Sequence, residues 1–175
     1  MLNIRPVTVD EASVLWELRL EALGTSPEAF GSSYEDALET PLEAVRAKVE
    51  ATENQFILGA YADGEMVGMA GFLRQTARKT RHKGFIWGVY VKSDYRKHGV
   101  GKGLLEAVIE QARRMEGLEL IQLTVVTANR GARQLYESLG FQSYGLERNA
   151  LIVDGIRYDE ELMVYELLSE KGSQP

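Results

Sequence analysis

Residues 89–105 read VYVKSDYRKHGVGKGLL, and this stretch decides the fold. It begins in an apolar run, Phe85–Val91, whose β-branched and aromatic residues predict a buried strand. Closely spaced glycines then lead into an amphipathic pattern that predicts a helix from Gly99 to about Met115. Glycines let a ligand approach the main chain, and the first amides of a helix attract anions. The stretch therefore predicts a phosphate-binding turn.

Three kinds of phosphate turn compete for this stretch. A Walker loop requires Ser or Thr after Gly-Lys, whereas Gly103 follows Gly101-Lys102. A dinucleotide fingerprint requires a third glycine where Leu104 stands. The third kind, Arg-x-x-Gly-x-Gly, is matched by Arg96 to Gly101 and would bind a pyrophosphate.

The distribution of charge supports an anionic ligand at this turn. The chain of 175 residues has a net charge of −6, but residues 74–102 carry nine basic groups and one acidic group. Residues 1–73 carry four basic and thirteen acidic groups. An acidic chain disfavours nucleic acid as a partner, although a nucleic-acid binder using residues 74–102 remains an alternative. We instead expect this basic block to surround the turn.

The composition of the chain excludes several other classes of protein and kinds of site. With 45% hydrophobic and 26% charged residues, the chain is typical of one globular domain, predicted over residues 1–168 with a flexible tail at 169–175. It has no cysteine and two histidines, which excludes a cysteine nucleophile and predicts no metal site. The longest relevant apolar run, Phe85–Val91, is far shorter than a transmembrane helix of about 20 residues. With no signal-peptide pattern, we expect a cytoplasmic protein without a membrane partner.

The order of predicted elements indicates a mixed α/β (α+β) sheet, mostly antiparallel and flanked by helices. Asp63-Gly64 and Asp154-Gly155 predict two hairpins. Asp10 is predicted to cap a first helix with Val14 on its apolar face, and Thr40 to cap a helix running to about Ala51. The predicted strands are 2–6, 55–62, 65–73, 85–91, 120–126 and 141–146, followed by a hairpin-like unit at 149–167.

A second motif follows the turn at the expected distance. Asn129-Arg130-Gly131-Ala132-Arg133-Gln134-Leu135-Tyr136 predicts a capped helix, and Leu139-Gly140-Phe141 ends it. Together with Val89-Tyr90-Val91 and the turn, this ordered set resembles the GNAT superfamily of N-acetyltransferases. The resemblance covers about residues 2–167 and is most specific over 85–141. Residues 27–35 and 154–167 resemble bacterial members with loosely defined acceptors.

The resemblance implies an acetyl-CoA-dependent enzyme that moves acetyl directly to a primary amine of a small molecule or peptide. It implies that the Val89 N–H polarises the thioester carbonyl and that Tyr136 protonates the departing thiolate. Asn129 would contact the pantetheine arm. The full set of residues expected to bind the cofactor is Val89, Tyr90, Val91, Arg96, Lys97, His98, Gly99, Val100, Gly101, Lys102, Asn129 and Tyr136.

The acceptor side is less defined by the resemblance. Tyr34, Glu35 and Trp87 are expected to border the amine, and the base is Glu35, Asp36 or water, because strand 85–91 carries no carboxylate. That missing carboxylate leaves an alternative, a non-catalytic acyl-CoA-binding sensor or structural module on the same fold. Family members often dimerise, so a homodimer through residues 142–167 is a further expectation.

Overall fold

The computed structural model describes residues 1–167, so the predicted tail and Leu168 lie outside the described residues. One seven-stranded sheet runs through this part of the chain in the order β1-β2-β3-β4-β5-β7-β6. Its strands are β1 (Leu2–Pro6), β2 (Gln55–Ala62), β3 (Glu65–Arg74), β4 (Lys83–Val91), β5 (Leu120–Val126), β6 (Gln142–Val153) and β7 (Ile156–Glu166). The helices are α1 (Ala12–Thr25), α2 (Tyr34–Leu38), α3 (Leu42–Val49), α4 (Val100–Arg113) and α5 (Arg130–Leu139).

The strand pairing confirms the predicted mixed, mostly antiparallel sheet. Every neighbouring pair is antiparallel except β4 and β5, which run parallel. Both Asp-Gly hairpins are present, because Asp63 and Gly64 have φ of 50° and 87° and Asp154 and Gly155 have φ of 49° and 78°. These positive angles match the right-handed twist of the paired strands.

Two apolar cores lie against the sheet. One contains the buried face of α4 together with Tyr136 and Phe141. The other contains Leu15, Leu18 and Ala22 of α1, with Val45 and Val49 of α3. The sheet thus has helices on both sides, and none of the helices within residues 1–167 is long and apolar enough to cross a membrane.

Two predicted helix starts were wrong. A short 3-10 turn, Val9–Glu11, precedes α1, so Asp10 does not cap it, and Val14 is exposed rather than buried. Before α3 the Thr40 hydroxyl donates to the Asp36 carbonyl at 3.0 Å, and Pro41 occupies the cap position. The hydroxyl therefore bonds backward to α2 instead of forward to α3, which ends at Val49.

The predicted break between 146 and 149 was also wrong. β6 is one strand, and its register against β7 shifts between Glu147 and Leu151. Asn149 adopts φ of 54° there, and its N–H donates to the Asp159 carboxylate at 2.8 Å. A bulge therefore interrupts the sequence pattern without ending the strand.

Glu11 ties three elements together at the start of the chain. Its carboxylate accepts hydrogen bonds from the Arg5 guanidinium at 2.8 and 3.0 Å, from the Thr8 N–H at 2.9 Å and from the Tyr61 hydroxyl at 3.1 Å. These donors lower the pKa of Glu11 to about 2, chiefly through Arg5. The bonds join β1, the turn before α1 and β2.

Glu11→Gln is expected to lower the free energy of unfolding at pH 7 by about 1–2 kcal/mol, since charge-assisted bonds are lost. The lowered pKa in the fold means that the stabilisation is complete above the ordinary value of 4.5 and is lost as pH falls toward 2. Denaturant titration at pH 7, 4 and 2 measures this, with exposed Glu53→Gln as control. A difference that does not shrink between pH 5 and 2 would contradict the role.

Candidate active site

β4 and β5 diverge and open a cleft. Their parallel pairing covers only Lys83–Phe85 against Leu120–Gln122, after which neither strand contacts the other in register. The edge of β4 that faces β5 is therefore free over residues 86–91. An unpaired strand edge offers N–H and C=O groups to an extended ligand, which can add as a further strand.

The opposite edge of β4, where it pairs with β3, carries a bulge. β3 pairs Met69 with Tyr90 and Gly71 with Trp87, which leaves Gly88 and Val89 without partners in the ladder. Gly88 makes the bulge feasible, because its φ of 64° is a left-handed conformation. The irregularity places the Val89 main chain where regular pairing stops.

The cleft brings together residues that are distant in sequence. It has a volume of about 520 Å³ and is bordered by α1, α2, α5 and the diverging strands. Val89, Trp87 and Tyr136, all predicted site residues, share it. Its other polar or aromatic lining residues are Trp16, Arg19, Phe30, Ser32, Asp36, Thr40, Lys48, Phe85, Thr124 and Glu160.

Tyr136 is held at the cleft by the local chemistry of α5. The Asn129 side chain caps this helix by accepting the Ala132 N–H at 3.2 Å, and Gly140 ends it with φ of 108°. The Tyr136 ring packs edge-on against Phe141, with centroids 5.9 Å apart. Burial raises the pKa of Tyr136 to about 12. Its hydroxyl therefore keeps its proton at neutral pH and can act as a donor.

The predicted phosphate turn has the geometry of an anion site. Gly99 adopts φ of 79° and precedes α4 without any side-chain cap, so the first amides of the helix have no side-chain acceptor. Lys97 also has positive φ, at 64°. Gly101 has no side chain, so a ligand can approach its main chain closely. The turn fits the pyrophosphate of coenzyme A.

The side chains around the turn divide into two kinds. Arg96 folds back, donating to the Val91 carbonyl at 2.9 Å and lying 5.4 Å from the Tyr90 ring centroid. Lys97, His98 and Lys102 are exposed, and the Lys102 ammonium lies 3.9 Å from the Glu106 carboxylate. Arg74, at the other end of the basic block, is buried and donates to backbone carbonyls, so it does not face the turn.

Other predicted residues lie outside the cleft. Tyr34 and Glu35 line a neighbouring pocket next to residues 151–154. Tyr90 is buried, and its hydroxyl donates to Glu21 at 2.9 Å. Asn129 acts as a helix cap and does not line the cleft. Asp36, in contrast, does line it.

Sequence reasoning missed three charged residues of the cleft, Arg19, Glu160 and the exposed Lys48. Arg19 occupies the buried stripe of α1, one turn after Leu15, and an arginine in that position was the signal that could have found it. Glu160 lies in β7 opposite Val126, and no pattern in the surrounding sequence distinguishes it from nearby carboxylates. Within residues 1–167 no cluster of three potential metal ligands is present.

A mixed sheet with a split parallel pair, a glycine-rich turn after the bulged strand and a buried tyrosine across the cleft are the features expected from the resemblance to acyl-CoA-dependent transferases. Comparison with known proteins gives the family. Residues 16–141 match the model of the Acetyltransferase (GNAT) family, and the chain belongs to it. N-alpha-acetyltransferase RimI from Mycobacterium tuberculosis is 31% identical over 115 residues, covering 66% of this chain and 69% of that one.

Solved structures agree with this assignment. An acetyltransferase of the GNAT family from Streptococcus pneumoniae has a TM-score of 0.86 at 26% identity, covering 95% of this chain and 99% of that one. The yncA protein from Salmonella typhimurium, solved with its cofactor acetyl-CoA, has a TM-score of 0.83 at 22% identity and covers 100% and 98%. The predicted GNAT fold and the predicted acetyltransferase activity are confirmed.

Gly101→Glu is expected to abolish acetyl-CoA binding, because it would add a side chain at the turn and place a carboxylate where phosphate is expected. Gln111→Glu, which adds the same charge further along α4, should bind normally. Isothermal titration with acetyl-CoA measures both, and circular dichroism checks that each variant is folded. Unchanged affinity in folded Gly101→Glu would show that the turn does not hold the cofactor.

Proposed function

We propose that the chain transfers acetyl from acetyl-CoA directly to a primary amine bound in the cleft between β4 and β5. The observation that carries the proposal is the meeting of the free β4 edge at Val89 with the buried Tyr136 hydroxyl in one cavity. The acceptor is a small molecule or peptide. The related M. tuberculosis protein is named an N-alpha-acetyltransferase, which supports an amine acceptor.

The turn and the β4 edge bind and orient the donor. The first amides of α4 and the cations of Lys97 and Lys102 hold the pyrophosphate, while residues 89–91 hydrogen-bond the pantetheine arm. Bound acetyl-CoA supplies a thioester carbonyl that a neutral amine can attack. The Val89 N–H is the fixed donor toward the carbonyl oxygen, where negative charge develops. Holding both reactants in one cleft supplies further acceleration.

Tyr136 stabilises the departing sulfur. A phenol with a pKa of about 12 holds its proton more tightly than an ordinary thiol, whose pKa is about 8.5. Its main contribution is therefore a hydrogen bond donated to the thiolate. The same burial that raises the phenol pKa also strengthens this bond, because the cleft has a low dielectric constant.

Glu160 accepts the proton of the amine. Two carboxylates line the cleft, Asp36 and Glu160, whereas Glu35 lies in the neighbouring pocket. Asp36 is exposed on the short helix α2, while Glu160 is half-buried on β7, where it is paired with Val126 of β5 and Glu147 of β6. The alternative of a non-catalytic acyl-CoA-binding module rested on the absence of a carboxylate from β4. A carboxylate from another strand in the same cleft removes that argument. The cytoplasmic location and the homodimer stay predictions.

Tyr136→Phe is expected to lower kcat by about 10- to 100-fold, somewhat less than the loss of a full general acid. The affinity for acetyl-CoA should stay within about twofold, since the hydroxyl acts mainly in the transition state. Steady-state thiol release and isothermal titration measure the two quantities. Tyr144→Phe, which changes an exposed tyrosine on β6, is the control. Equal turnover in Tyr136→Phe and the parent would remove Tyr136 from the reaction.

Glu160→Gln is expected to lower kcat/KM by about 100-fold, because the amine loses its proton acceptor. Glu35→Gln should change kcat/KM by less than about twofold, and Asp36→Asn tests the remaining carboxylate of the cleft. The measurement is initial rate against amine concentration at saturating acetyl-CoA. A larger loss in Asp36→Asn than in Glu160→Gln would move the base to α2.

A further inference from the structure

Arg19 is a buried cation without a hydrogen-bond partner. The residue is 6% exposed, and its Nη1 atom has no partner among the described residues. Buried arginines are normally paired, because leaving their N–H groups unsatisfied is costly. Burial alone lowers its pKa to about 10, so the guanidinium remains charged at neutral pH. Arg19 lines the cleft, where an acceptor can supply the missing partner.

The surroundings hold this guanidinium in one orientation. Its central carbon lies 5.1 Å from the Phe30 ring centroid and 5.4 Å from that of Trp87. A Cβ on Gly88 would lie 3.3 Å from Nη1, so the glycine of the β4 bulge keeps the space beside the cation free. A fixed guanidinium with free N–H groups matches the two oxygens of a carboxylate.

We propose that Arg19 binds a carboxylate of the acceptor, so that the acceptor is a small amino acid type of molecule carrying both an amine and a carboxylate. This rests on the proposed acetyl transfer and deepens it. The charges of the cleft fit a zwitterion. Asp36 and Glu160 are available to the ammonium form of the amine, and the buried Arg19 to the carboxylate, while Lys48 is a further, exposed cation of the lining.

Two other partners for Arg19 fit the structure less well. The phosphates of the donor belong at the start of α4, which packs on the opposite side of the sheet from α1. A polyamine would bring a second cation toward Arg19, where repulsion in a buried site is strong. An amine that also carries a carboxylate offers a cation to Asp36 and Glu160 and an anion to Arg19.

The first test compares acceptors. Free amino acids are assayed against their amides and their decarboxylated amines, at equal concentrations of unprotonated amine. The proposal expects at least one amino acid whose kcat/KM exceeds that of its amide by about 100-fold. The proposal is overturned if the enzyme acetylates amines but no amino acid has a higher kcat/KM than its amide and its decarboxylated amine. That result would leave the acetyl transfer itself intact.

The second test changes the residue. Arg19→Met should raise KM for the preferred amino acid by about 100-fold, leave its amide within about threefold and keep the affinity for acetyl-CoA. Arg19→Lys should recover part of the loss, since lysine keeps the charge but not the planar fork. Arg46→Met, at an exposed arginine of α3, is the control. Equal losses for the amino acid and its amide would overturn the proposal.

The third test separates binding from a structural role and needs no turnover. The melting temperature of Arg19→Met should be no lower than that of the parent, because an unpaired buried charge is removed. N-acetyl amino acids, the expected products, should raise the melting temperature of the parent and not of Arg19→Met. Failure of both expectations would make Arg19 a structural residue. If no amine is acetylated but N-acetyl amino acids still stabilise the parent and not Arg19→Met, the proposed function is overturned and the carboxylate site is not.

Discussion

The separation of β4 from β5 is the constraint on which the rest of the molecule depends. A seven-stranded sheet would bury the most backbone if all its strands paired along their lengths, yet this pair stops after Phe85 and Gln122. Unpaired main-chain groups in a protein interior need partners. In the proposed reaction the donor binds to them, while the bulge at Gly88 and Val89 interrupts the ladder with β3 on the other edge of β4. The cleft and the binding edge therefore arise from one local break in pairing.

Charge is arranged around this break more finely than the net charge of −6 suggests. Exposed cations of the turn lie at the start of α4, on one side of the sheet. Asp36, Glu160 and the unpaired Arg19 line the cleft that opens toward α1 and α2. A polyanionic donor and a zwitterionic acceptor can then approach from different directions.

Local sequence signals located the elements whose ends are set by local chemistry. Helix α5 begins after Asn129 and ends before Gly140, as predicted, because a side-chain cap and a left-handed glycine act within a few residues. The prediction was wrong where distant contacts decide. Thr40 bonds backward to α2, and Asn149 bulges a strand whose register is set by β7. Glu160 was not predicted for the same reason, since only the pairing of β5 with β7 brings it to the cleft.

Arg19 shows how a residue that weakens the fold can mark the site. An apolar side chain in its place would continue the buried stripe formed by Leu15, Leu18 and Ala22. The chain instead places a cation between Phe30 and Trp87 and leaves Nη1 without a partner. Sites that bind ligands commonly hold such unsatisfied groups in a fixed position, because a group that is already oriented and dehydrated binds its partner more tightly. The proposed recognition of the acceptor's carboxylate thus depends on α1, on the side of the sheet away from the phosphate turn.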